Sequence, residues 1–170
     1  MTNPKTGTQE ITFASRFSAY FQTDVAKAAA APLSNGVEIE LRVQAPENSG
    51  PLEVFVFTRK LGQNTIEIRA ASKPQIAFTL SPASAEKILD HHSDDIAEMG
   101  IFLLHLLTAS DANERISFKM KAGFFTLFGL GYFGVIKLGG ASFASVLASK
   151  GISGIHAIKA LLKKATGGDS

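Results

Sequence analysis

An aromatic, glycine-rich and nearly uncharged stretch in the last third of the chain sets the strongest constraint on how this sequence can fold. Residues 116–140 read ISFKMKAGFFTLFGLGYFGVIKLGG, and six of the chain's fifteen aromatic residues lie between positions 118 and 133. No charged residue occurs from 122 to 136. This segment is too apolar for an ordinary loop and too rich in glycine for a tight core helix. Something must therefore cover it: the rest of the fold, a membrane surface or a bound apolar ligand.

Charge is unevenly distributed, although the net charge is only +2. Residues 1–115 carry ten Lys and Arg against fourteen Asp and Glu, whereas residues 116–170 carry seven Lys against Asp169 alone. Lysines beside apolar side chains suit an anionic lipid surface. Nucleic acid recognition favours arginine, and no arginine follows Arg115. We therefore expect contact with an anionic membrane surface and no nucleic-acid partner.

The length and composition predict one domain spanning residues 1–170, large enough to bury its own core. Cysteine is absent, which excludes disulfides, thiolate metal sites and a cysteine nucleophile. The uncharged run at 122–136 is shorter than the roughly 20 residues that span a bilayer. The first ten residues lack the apolar run of a secretory signal, and the last four are not a peroxisomal signal. The expected location is cytoplasmic, with peripheral contact to membranes.

Hydrophobic periodicity predicts the order of the elements. An amphipathic helix is expected from Glu10 to Ala31, followed by four strands at 37–43, 52–58, 64–70 and 75–80, joined as an antiparallel meander. Ser81 and Asp95 have the form of N-caps for two further helices, and Asp95 with Glu98 has the form of a capping box. A fifth strand at 116–121 precedes short helical pieces at 124–128, 132–138, 142–150 and 152–164.

Gly129, Gly131 and Gly134 match a dinucleotide-binding pattern, G-x-G-x-x-G, but lack its context. A dinucleotide fold requires an acidic residue about 20 positions further on, and no Asp or Glu occurs between Arg115 and Asp169. A kinase glycine loop would need catalytic motifs downstream, and only 36 residues follow Gly134. We interpret these glycines as sites of close helix packing or bending, and we expect no cofactor.

Histidines and carboxylates cluster between the two predicted central helices, from Asp90 to Asp95. Asp94 and Asp95 have an ordinary role at the positive end of a helix dipole, and no matching set of metal ligands occurs elsewhere. His105 is predicted to be a hydrogen-bonded, partly buried residue. No arrangement of a nucleophile with a base is visible, so the sequence predicts no catalytic residue, no metal site and no enzyme.

The order of elements resembles the sterol carrier protein 2-like lipid-binding domain family. The resemblance rests on IAFTLS at 76–81, the following helix with AEKIL at 85–89, and FKMKAG at 118–123, and it covers residues 10–123. It implies an α+β fold, with a five-stranded, mainly antiparallel sheet covered on one face by helices around an apolar tunnel for lipids. Phe124-Phe125 departs from the polar residue that the family has after the final strand glycine. Residues 124–170 are predicted to be an apolar, basic helical extension of that core.

The function predicted from these observations is non-enzymatic binding and transfer of a fatty acyl chain, sterol or isoprenoid. The predicted lipid-lining residues are Phe102, Leu103, Leu106, Phe118, Met120, Phe124, Phe128, Tyr132, Phe133, Ile136, Phe143 and Val146. The predicted head-group or membrane contacts are Lys121, Lys137 and Lys150.

Three alternatives remain open at this point. The protein could present a lipid, such as a quinone precursor, to a partner enzyme. It could be a structural module whose apolar third is packed core or a homodimer interface. It could also be an enzyme acting on a lipid.

Overall fold

A computed structural model describes residues 12–45, 47, 50 and 52–141. The helices are α1 Phe13–Phe21, α2 Asp24–Ala30, α3 Pro82–Asp90, α4 Ile96–Leu107, α5 Phe124–Gly129 and α6 Tyr132–Leu138. The strands are β1 Glu38–Val43, β2 Glu53–Lys60, β3 Gln63–Glu67, β4 Ile76–Leu80 and β5 Ser117–Met120. The helices predicted at 142–150 and 152–164 lie outside the described residues, as do Phe143, Val146 and Lys150.

The opening helix is interrupted, which the sequence did not predict. α1 ends at Phe21, and α2 begins anew with Thr23 as its N-cap. The break is tied to strand β3, because Gln22 Nε2 donates to the Asn64 carbonyl at 2.7 Å and Asn64 Nδ2 donates to the Phe21 carbonyl at 2.9 Å. The apolar periodicity runs through the break unchanged, and the local signal for it is the N-cap Thr23 followed by Asp24 in the first turn of α2.

Both predicted central helices begin where their caps indicate. The Ser81 hydroxyl accepts the Ser84 N–H at 3.0 Å, and the Asp95 carboxylate accepts the Ala97 N–H at 2.8 Å. The predicted capping box is only half formed, because the Glu98 carboxylate accepts the Ser93 hydroxyl at 2.8 Å.

The strands form one mixed sheet in the order β3-β2-β1-β4-β5. The predicted meander is wrong in one pairing: β4 lies beside β1 and runs parallel to it, while the other neighbouring pairs are antiparallel. The connection from β3 to β4 must therefore cross the sheet. Two carboxylates of β1 hold this crossover, since Glu40 accepts the Ala71 N–H at 3.1 Å and Glu38 accepts the Lys73 N–H at 2.7 Å.

Side chains of β1 alternate between an apolar face, covered by helices, and a face that carries its charged residues. The predicted wet face of β1 is wrong at Glu40, which is only 5% exposed and accepts a hydrogen bond from the crossover. The crossover lies on the polar face, and two buried clusters form on the apolar face. In the first, Phe17 of α1 meets Phe55 of β2 with ring centroids 5.4 Å apart, and residues of α3 and α4 complete the cluster. In the second, Phe57 packs with residues of α2, α5 and α6. The fold is thus α+β, with helices covering one face of an open sheet.

Candidate functional site

Two glycines dock the α5–α6 pair onto the turn that follows α2. Gly131 has a φ of +90°, and a Cβ placed on it would lie 1.9 Å from the Pro32 carbonyl oxygen. A Cβ on Gly134 would lie 2.6 Å from the Pro32 Cβ, and the Ser34 N–H donates to the Leu130 carbonyl at 2.9 Å. Only glycine allows both the left-handed backbone and this approach. The interpretation of the glycines as packing residues is confirmed for Gly131 and Gly134 and is wrong for Gly129, where a Cβ would meet open space.

A buried glutamine joins the same helices to the sheet. Tyr132 donates its hydroxyl to Gln75 Oε1 at 3.0 Å, and that oxygen also accepts the Glu38 N–H at 2.7 Å. The Gln75 carbonyl accepts the N–H groups of Lys121 and Ala122 at the end of β5. Burial raises the pKa of Tyr132, which keeps its hydroxyl protonated as a donor. The sequence offered no signal for Gln75. Its hydrogen bonds join α6, β1 and the residues that follow β5.

The apolar face of the sheet is incompletely covered at its β5 edge. Phe118 and Met120 point to the same face as Phe78 and Ile76, their partners on β4, yet they are 42% and 56% exposed. The Phe118 ring lies 6.0 Å from that of Phe78. Ile76, the β4 partner of Met120, packs against the second cluster, which contains Leu127 of α5. The β5 edge of the sheet is therefore joined to α5 through Ile76.

The exposed apolar surface extends onto α5. Phe125 and Phe128 are exposed there, and the Phe128 ring lies 5.9 Å from the half-buried ring of Phe133. We call this surface, made by Phe118, Met120, Phe125 and Phe128, the β5–α5 surface. Its members lie on two successive elements, β5 and α5, in the region where the sequence is most aromatic.

The other predicted lining residues are more deeply placed. Leu106 belongs to the first buried cluster, with Phe102 and Leu103 packed against it. Tyr132 is buried in the second cluster, and Ile136 on α6 is half-buried. Phe124 begins α5, and its side chain lies outside the described part of the structure. The predicted lipid wall is thus divided into an exposed surface on β5 and α5 and a buried remainder on α4 and α6.

The predicted head-group lysines lie in exposed positions. Lys121 follows β5 directly and Lys137 lies near the end of α6, and both are exposed. Lys121 lies close enough to Glu40 to affect it: burial alone would raise the pKa of Glu40, but Arg42, the Ala71 N–H and the charge of Lys121 lower it below its ordinary value.

The two histidines of the central helices differ in their surroundings. The prediction for His105 is wrong, because this residue is exposed on α4. His91 stacks on Phe102 with ring centroids 3.9 Å apart. In the described part of the chain, no three His, Asp or Glu side chains are grouped as metal ligands, and no helix is long and apolar enough to cross a bilayer.

Two of the surface clefts on the described residues have linings that can be compared with the predicted lipid wall. One, of about 290 Å³, lies on the polar side of the sheet around Glu38, Arg59, Arg69 and Lys73. The other, of about 460 Å³, is lined by residues 92–95 and Glu98. Neither contains a residue of the predicted lipid wall, so the predicted tunnel remains a prediction.

Comparisons with known proteins gave one structural similarity. No protein-family model and no curated protein matches the chain. A solved structure of a UbiJ-SCP2 ubiquinone synthesis protein is similar, with 11% sequence identity, a TM-score of 0.37, and coverage of 74% of this chain and 94% of that one. Since the similarity is low, the function proposed below rests on this chain's own residues.

Proposed function

We propose that this protein binds an apolar lipid, a fatty acyl chain, sterol or isoprenoid, on the β5–α5 surface and carries or presents it without catalysing a reaction. The observation that supports this best is the incomplete cover over Phe118 and Met120. These side chains belong to the face of the sheet that elsewhere forms the core, yet they are about half exposed. Grouped apolar side chains of this kind mark a binding surface, whereas single exposed ones are ordinary.

The chemistry of the surface fits an extended hydrocarbon. Aromatic rings, a thioether and aliphatic side chains offer dispersion contacts, and no charged residue occurs from 122 to 136. Covering apolar surface returns about 25 cal/mol per Å², or about 0.8 kcal/mol per buried methylene. A chain of many methylenes therefore needs few polar contacts to bind firmly. The exposed Lys121 and Lys137 are available for an anionic head group at its end.

A matched pair of variants tests this proposal. Phe118→Thr removes the aromatic ring but keeps a residue suited to a strand. Leu52→Thr, which removes a 45% exposed side chain just before β2, is the control. We expect Phe118→Thr to weaken binding of a fluorescent fatty acid by about tenfold, as expected for losing part of one aromatic contact, and Leu52→Thr to leave it unchanged. Equal affinities in the two variants would contradict the proposal.

The same variants distinguish lipid binding from dimerisation through this surface. Sedimentation velocity at several protein concentrations, with lipid removed, measures self-association. A dimer that Phe118→Thr dissociates, with no binding of the fatty acid to either variant, would identify the surface as a homodimer interface instead.

A further inference from the structure

The β2–β3 hairpin carries a large apolar side chain in an unfavourable backbone conformation. Lys60 pairs with Gln63, which leaves Leu61 and Gly62 as a two-residue loop, and both have positive φ values of 50° and 75°. Loops with two positive φ values strongly favour Asn-Gly or Asp-Gly. Leu61 instead has a left-handed backbone, which costs an L-residue about 1–2 kcal/mol, and is 91% exposed. Neither burial in the core nor the backbone conformation of the turn accounts for a leucine at position 61.

Positive charge surrounds the base of this hairpin. Three basic side chains lie on the polar side of the sheet at the cleft: Lys60, Arg69 and Lys73. Two carboxylates offset part of this charge, because Glu38 accepts from Arg69 at 2.9 Å and Glu67 accepts from Lys60 and Arg69. Arg59 also borders the cleft, but its side chain lies on the helix-covered face, where it donates to Asn64 Oδ1 at 3.0 Å. Three cations against two carboxylates leave the cleft with an excess of one positive charge beside an exposed leucine.

The topology places this hairpin at the same end of the sheet as α5. At that end β2 passes into β3, β1 and β4 begin, and β5 ends shortly before α5. The Gly62 N–H donates to Asn35 Oδ1 at 3.4 Å, and Asn35 lies in the turn region whose Pro32 receives Gly131. Leu61 and α5 are therefore linked through one turn. The exposed Leu61 of the hairpin and the exposed phenylalanines of α5 therefore belong to elements at the same end of the sheet.

We propose that Leu61 and the basic cleft dock on an anionic lipid bilayer, with the leucine inserted among the head groups and the cations facing them. The inference deepens the proposed function, since it names the surface from which a lipid would be exchanged. Charge complementarity supports a bilayer, because each Lys or Arg near an anionic membrane contributes favourably. A single side chain on an exposed turn also suits a plane better than a groove of a folded partner.

The substitution Leu61→Asn tests the docking directly. Asn favours positive φ at this turn position, so the variant should fold at least as stably as the parent. We expect its binding to vesicles of phosphatidylglycerol and phosphatidylcholine, measured by cosedimentation, to be about tenfold weaker, as partial burial of one leucine side chain implies. The matched control Leu52→Asn, at a position flanking the other end of β2, should bind like the parent. Lys73→Gln should reduce the dependence of vesicle binding on salt.

The docking is overturned if Leu61→Asn binds these vesicles as tightly as the parent, or if the parent binds them no better than vesicles of phosphatidylcholine alone. Fatty-acid binding in the absence of vesicles separates this result from the proposed function. Leu61→Asn should retain it, because Leu61 lies outside the β5–α5 surface. A parent protein that docks as expected but binds no fatty acid would contradict the proposed function and leave the docking intact.

Discussion

Substituting Gly131 by alanine should undock the α5–α6 pair from the rest of the fold. The new Cβ would lie 1.9 Å from the Pro32 carbonyl oxygen and 2.8 Å from its carbon, and both are backbone atoms that cannot rotate away. The residue also has a φ of +90°. Because the helix pair has to move, the contacts made by Tyr132 and Gln75 in the buried site are lost with it.

The expected destabilisation is about 2–5 kcal/mol. The left-handed backbone contributes about 1–2 kcal/mol, and leaving buried polar partners unsatisfied contributes about 1–3 kcal/mol. Gly129→Ala is the internal control, because this glycine is in helix α5 and a Cβ on it would meet open space. That variant should be neutral or up to about 1 kcal/mol more stable, from helix propensity alone.

Chemical denaturation followed by far-ultraviolet circular dichroism measures the difference, since the chain has no tryptophan to report unfolding. Fatty-acid binding should fall with stability in Gly131→Ala and remain in Gly129→Ala. Equal unfolding midpoints for the two variants would refute the packing interpretation. Gly131 would then have no packing explanation.

Three further outcomes follow from the same structure. Phe128→Ala should weaken fatty-acid binding while costing roughly 1 kcal/mol or less in denaturant unfolding, because its ring is 56% exposed, whereas Phe57→Ala, 2% exposed, should cost about 3–5 kcal/mol. Hydrogen bonds from Arg69 and Lys60 lower the pKa of Glu67 from an ordinary 4.5 to about 2. The stability that this carboxylate contributes is therefore present above about pH 4.5 and is lost as the pH falls toward 2. In an acid titration, Arg69→Gln should lose less stability over this range than the parent protein does. Tyr132→Phe should cost about 1 kcal/mol in the same unfolding assay, since Gln75 Oε1 keeps the Glu38 N–H; a cost as large as that of Phe57→Ala would contradict the assigned role of this hydroxyl.

Features that depend on local chemistry could be read from the sequence. Alternating side chains identify the strands, because the period of two separates the charged side chains of β1 from its apolar ones. Ser81 and Asp95 mark helix starts, because their side chains accept N–H groups only two or three residues away. The aromatic crowding from 118 to 133 likewise pointed to the region that contains the exposed apolar surface.

Features that depend on contacts between distant residues could not be read in this way. The parallel pairing of β1 with β4 follows from a crossover held by Glu38 and Glu40, and nothing in the local pattern indicates which backbone groups these carboxylates accept. The sequence also did not distinguish buried from exposed aromatics, since Tyr132 and Phe128 occur in the same apolar run. Gln75 shows its role only through its hydrogen bonds with four distant residues, Glu38, Lys121, Ala122 and Tyr132.

The most direct test of lipid binding at the β5–α5 surface is photo-crosslinking with a diazirine-bearing fatty acid, followed by peptide mapping. We expect the label on peptides that contain residues 118–128, and we expect unlabelled fatty acid to suppress it. Phe118→Thr should reduce this labelling, while Leu52→Thr should not. Labelling confined to other peptides, or labelling that unlabelled fatty acid does not suppress, would contradict the assignment of this surface as the lipid site.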